Sequence, residues 1–167
     1  MTSSIILRRH PCTPRGSMRL LIIFFIISLA QAIPDPYYMN QSWPDHSVKG
    51  LQDLLGNGFV QPYIPDVFDC SEMSSYLQWK LQCHGFNAKI CQRIGEHSWV
   101  AVIIANETYY IEPTSHGNMI VSIFDPGYYD YSKPDRVFQN LSDALVHGVP
   151  VEEVDWWTVL SNETFLT

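Results

Sequence analysis

Three short signatures hold the residues of this chain best suited to covalent chemistry. Phe68-Asp69-Cys70-Ser71-Glu72 comes first, Glu96-His97-Ser98-Trp99-Val100 second and Tyr110-Ile111-Glu112-Pro113-Thr114 third. A cysteine, a histidine and a carboxylate in that chain order provide a thiol nucleophile, the base that ionises it and the acid that orients the base. Brought together in space, Cys70, His97 and Glu112 would form the triad of a cysteine acyl-transfer enzyme.

Each of the three also has a plainer role. A cysteine is more often a small buried core residue than a nucleophile, a lone histidine is an ordinary strand-end residue, and Glu112 before Pro113 could be a solvated carboxylate. What favours chemistry is the set of elements around them. Asp69 to His84 reads as a helix, with Asp69 as N-cap, Glu72 as the N3 acid of a capping box and Gly85 as the residue after the end. Met73, Tyr76, Leu77, Lys80, Leu81 and His84 recur at three- and four-residue spacing, which predicts one buried face. That register sets Cys70 at the first helical position, where free backbone N–H groups and the helix dipole favour a thiolate while Asp69 and Glu72 oppose it.

Asn87 to Ile94 and Ser98 to Ala105 are strand-like, Asn106-Glu107 is the expected turn and Thr108 to Glu112 the returning strand. The hairpin would have His97 at its entry and Glu112 at its exit. Glu96 is the poorer orienter, since successive strand residues face opposite ways. Ile120 to Phe124 could add a strand, Asp125 to Pro134 is a polar loop, and Asn140 to His147 reads as a short helix ending at Gly148. Trp156-Trp157 should dock on the core. For the oxyanion, the Cys70 N–H is the natural first donor, and Gln61 or Tyr63 is a candidate second.

The order Asp-Cys-Ser-Glu on a helix, His-Ser-Trp-Val on a strand and Tyr-Ile-Glu-Pro-Thr at a strand end resembles the core of the transglutaminase-like superfamily. The resemblance covers roughly residues 68 to 114. It implies an α+β domain of papain-like architecture, a Cys-bearing helix packed on an antiparallel sheet, with Cys70 as nucleophile, His97 as base and Glu112 as acid. Glu112 stands where that family usually has Asp, and the stretch from Cys70 to His97 is short for it. Phe68-Asp69-Cys70-Ser71 is also similar to the NlpC/P60 peptidases, whose histidine lies farther from the cysteine.

The rest of the sequence bounds the setting. Leu20 to Ala30 is an apolar run of about eleven residues behind Arg8, Arg9, Arg15 and Arg19 and ahead of Ala30-Gln31-Ala32. That is the pattern of a secretory signal peptide over residues 1–32, with Met18 an alternative start, and the run is short of the roughly twenty residues of a spanning helix. Secretion is therefore expected, with an uncleaved membrane anchor as the alternative. Removing residues 1–32 takes four of the ten basic residues and none of the seventeen acidic ones, moving the net charge from −7 to −11. Such a chain repels phosphate backbones, so no nucleic-acid partner is expected.

Sequons at Asn40, Asn106, Asn140 and Asn162 agree with export and glycosylation. With Cys12 in the leader, Cys70, Cys83 and Cys91 remain, and a disulfide between Cys83 and Cys91 would leave Cys70 as the free thiol. No cofactor is called for. Cys70, His97, Glu112 and His116 include zinc-ligand types, but without a close ligand pair no metal site is expected. Residues 33–65 read as an irregular arm, helical only over Val48 to Leu55, that wraps a domain spanning 66–167. The expected activity is hydrolysis of a peptide or protein amide. The rival is a catalytically idle secreted or membrane-anchored binding module with the same fold.

Overall fold

The computed structural model describes residues 35, 39–56, 63–115 and 120–161. The expected leader, Gln61, His116 and the Asn162 sequon lie outside the described residues. Among those described, no helix is long and apolar enough to cross a membrane.

The fold is α+β. Four antiparallel strands, β1 (Asn87–Arg93), β2 (His97–Ile104), β3 (Glu107–Ile111) and β4 (Arg136–Phe138), lie in the order β3-β2-β1-β4. Helix α2 (Cys70–Cys83) packs on one face of this sheet. Its ends match the sequence reading: Asp69 caps Ser71 N–H, the Glu72 carboxylate accepts from Asp69 N–H at 3.0 Å, and Gly85 takes a φ of 83° after the C-cap His84.

Burial of α2 goes beyond the single expected face. Glu72, Ser74, Ser75 and Gln78 are buried along with Met73, Leu77, Trp79, Leu81 and Cys83, because the helix is enclosed by the sheet and by apolar residues of three other helices. Glutamines serve as ties. Gln78 and Gln82 both donate to the carbonyls of Ala88 and Gln139, fastening α2 to β1 and to the chain entering α4 (Leu141–Val146).

Helix α1 (Val48–Gly56) lies in the segment read as a wrapping arm, and it is part of the core. Leu51, Leu54 and Leu55 are buried in one cluster with Leu77 and Leu81 of α2 and Val100, Val102 and Ile111 of the sheet. Each buried leucine contributes roughly 1.5–3 kcal/mol. Gln41 N–H to Cys83 O and His46 to His84 O, at 3.0 and 2.9 Å, hold the approach to α1 against the end of α2.

On the opposite side Trp156, opening α5 (Trp156–Ser161), docks beside Trp79 as expected, with ring centroids 4.6 Å apart. Two elements differ from expectation. Only Ile120 of 120–124 makes a strand-like pairing, with Ile111, and the chain then turns at Ser122–Asp125 with Ile123 and Phe124 exposed. Strand β4 is three residues long, too short for an alternation to register in the sequence.

The hairpin turn falls one residue earlier than expected. Ala105 and Asn106 take φ of 52° and 67°, the left-handed pair of a two-residue turn, and Ile104 pairs with Glu107. The register places Val100 opposite Ile111. One step further it sets Glu112 opposite Trp99, whereas the expected turn would have set it opposite Ala101. The earlier turn therefore brings Glu112 two positions closer to His97.

Candidate active site

Cys70 is half-buried at the first position of α2. A tight loop places it: Ile64 and Phe68 exchange backbone hydrogen bonds at 3.0 and 2.8 Å around Asp66 (φ 59°), and Phe68, 1% exposed, anchors the loop in the core. His97 is the first residue of β2. The residues that follow each of them meet, since the Ser71 and Ser98 hydroxyls are hydrogen-bonded at 3.3 Å. This contact joins the first turn of α2 to the start of β2 and so sets thiol and imidazole side by side.

The His97 ring donates from Nε2 to Glu112 Oε2 at 2.6 Å. Hydrogen bonding to Cys70 is the largest influence on the imidazole; with that to Glu112 it outweighs burial and lifts the His97 pKa to about 9. Glu112 is the complement: burial pushes its carboxyl up, but bonds from His97 and from the Thr114 hydroxyl and N–H prevail and hold it at about 2. The geometry is a nucleophile, a base and an orienting acid in contact, with the imidazole charged at neutral pH.

Four hydrogen bonds fix Glu112. Oε1 accepts from Thr114 twice, and Oε2 accepts from His97 and, at 2.8 Å, from the Tyr131 hydroxyl. Tyr131 ends α3 (Tyr128–Tyr131), a single turn inside the loop expected to be irregular. Its ring stands edge-on to both His97 and Trp99, and the Trp99 ring stacks along the imidazole at 5.9 Å. Burial, then the hydrogen bond to Glu112, raise the Tyr131 pKa and keep it a donor. The sequence carried little sign of this residue beyond a tyrosine-rich stretch between Gly127 and Pro134.

Of the other candidates, Tyr63 is 44% exposed, and its phenol pKa is raised by partial burial and then by the Asp69 carboxylate. Glu72 opposes a thiolate less than its type suggests: burial lifts its pKa to about 7. Cys83 and Cys91 do not pair. All three described cysteines are free, and the two lie on opposite faces of the sheet, Cys83 packed with Ile90 and Phe138 and Cys91 with Trp99 and Ala101. Asn40 and Asn106 are exposed, Asn106 at the hairpin tip, while half-buried Asn140 accepts from Asp143 N–H as the N-cap of α4. Among the described residues no group of three or more His, Cys, Asp or Glu is arranged to hold a metal.

Compared with known proteins, the chain matches no family model, no curated protein and no solved structure.

Proposed function

We propose that this chain is a secreted cysteine hydrolase of the transglutaminase-like, papain-like type, acting on a peptide or protein amide. The observation that supports this reading is the contact chain from Cys70 through His97 to Glu112. Cys70 thiolate attacks the amide carbonyl carbon, forming a C–S bond and a tetrahedral oxyanion. The Cys70 N–H, which has no intrahelical acceptor at the first helical position, is the oxyanion donor closest to hand. As the C–N bond breaks, His97 gives its proton to the departing amine. His97, now neutral, takes a proton from water as the water oxygen attacks the thioester, and the acid product leaves with the thiolate restored. Hydrolysis is favoured over cross-linking because water alone completes this cycle.

Iodoacetamide alkylation of the folded chain at neutral pH tests the reading. Cys70 should react faster than a model thiol, and His97→Ala should remove the advantage. A Cys70 no faster than the model thiol and indifferent to His97→Ala would defeat the enzyme and leave the idle binding module.

A further inference from the structure

A cavity of about 260 Å³ opens beside His97, lined by Arg93, Glu96, His97, Trp99, Asp130 and Tyr131. Cys70 does not line it. In an amide hydrolysis the imidazole hands its proton to the departing amine, so the leaving half of the substrate must lie on the imidazole's side of the thiol. The cavity is on that side.

Its chemistry is uneven. Tyr131 supplies the accessible aromatic wall, and Trp99, 2% exposed, backs it with the rings edge to face at 5.5 Å. Arg93 is tied on three sides: Nη1 lies 3.5 Å from the Asp130 carboxylate, Nη2 donates to the Asp130 carbonyl at 3.2 Å, and Nε is 3.9 Å from Glu96. Two carboxylates thus share one guanidinium, leaving one negative charge in excess. His97 is also a cation at neutral pH, and Glu112 at 2.6 Å is its counter-ion. The side chains of Glu96 and Asp130 are 68% and 65% exposed, so both still present carboxylate to an incoming group.

An acidic side chain would add to the excess negative charge. An aliphatic one would use the wall and ignore the rim. A long basic side chain uses both, its methylenes along Tyr131 and its cationic end at Glu96 and Asp130. The net charge of −7 acts in the same sense at longer range. We infer that this cavity is the subsite for a lysine or arginine at the first position of the leaving half, an assignment that rests on the amide-hydrolase reading above.

The test is equilibrium binding of lysine amide, leucine amide and glutamate amide, which share a free α-amine, to the full chain carrying Cys70→Ala. Lysine amide should bind about tenfold more tightly than the other two, the size of one exposed ion pair with one cation–π contact. Glu96→Gln should erode that preference, and Asp130→Asn should erode it too while the melting temperature reports whether α3 stays in place. Equal binding of the three amides, binding of none, or a preference untouched by either neutralisation overturns the subsite. Iodoacetamide reactivity of the unmodified chain is read in parallel. A reactive Cys70 without amide selectivity removes the subsite alone, whereas lysine selectivity beside an inert Cys70 removes the hydrolase and leaves a pocket for basic groups.

Discussion

The Tyr131 hydroxyl donates at 2.8 Å to the same Glu112 oxygen that accepts the His97 ring proton. The carboxylate is thereby fixed from the loop side as well as from the hairpin, and its orientation does not depend on the imidazole alone. Tyr131→Phe keeps the ring against His97 and Trp99 and deletes only the hydroxyl. The expected cost is about 1.5 to 3 kcal/mol of stability, as for a hydrogen bond to a charged group, with a several-fold fall in the Cys70 alkylation rate. Denaturant unfolding and alkylation kinetics check both; a variant equal to the parent in each would remove Tyr131 from the site.

The coupling of His97 and Glu112 has a pH signature. His97, held near 9 against an ordinary 6.5, contributes stability that is complete below pH 6.5 and is lost as pH rises through about 9. Glu112, held near 2 against 4.5, contributes stability that is complete above pH 4.5 and is lost as pH falls through about 2. The pair's contribution is greatest between those ordinary values, and the imidazole stays charged well above neutrality. Titration of the His97 ring by NMR should have its midpoint near 9, and Glu112→Gln should move it down. A midpoint at the ordinary histidine value would contradict the arrangement.

The local signals in the sequence carried much of this site. The capping box at Asp69 and Glu72 fixed the register of α2 and with it the position of Cys70, because both halves of the box lie within four residues. The hairpin was legible from its strand patterns, but its turn was displaced by one residue, since Asn106 suits a left-handed position whether it stands first or second. Tyr131 and the Ser71–Ser98 contact were not legible, because both depend on pairings 19 and 27 residues apart in the chain. The Cys83–Cys91 pairing failed for a related reason. Sequence separation gives nearness along the chain and says nothing of which side of a sheet each thiol faces.

The cysteines themselves yield a separate check. Cys83 and Cys91 are 2% and 1% exposed, and burial raises their pKa to about 11 and about 12. A neutral thiol inside the core is inert to alkylation. Brief iodoacetamide treatment of the folded protein, followed by peptide mass mapping, should therefore modify Cys70 and spare the other two, and both should become reactive once the chain is unfolded without reductant. Recovery of a peptide linked through Cys83 and Cys91 would refute the free-thiol arrangement.

Among the described residues with positive φ that are not glycine, Ala105 is the one whose side chain has no polar group to favour that backbone. At φ 52° its Cβ crowds the chain, at a cost of about 1–2 kcal/mol that glycine avoids, while glycine loses about 0.5–1 kcal/mol through the greater freedom of its unfolded state. Ala105→Gly should therefore stabilise the domain by about 0.5 to 1 kcal/mol, read from the shift in denaturant midpoint at unchanged slope. The same turn sets how far Glu112 reaches toward His97, because moving the turn by one residue slides the β2–β3 pairing by two. Relieving the strain at Ala105 should leave the Cys70 alkylation rate as it was, whereas inserting one glycine between Ala105 and Asn106 should lower that rate as the pairing shifts. A destabilised Ala105→Gly variant would contradict the strain at Ala105, and an insertion with full thiol reactivity would show that the turn does not govern the placement of Glu112.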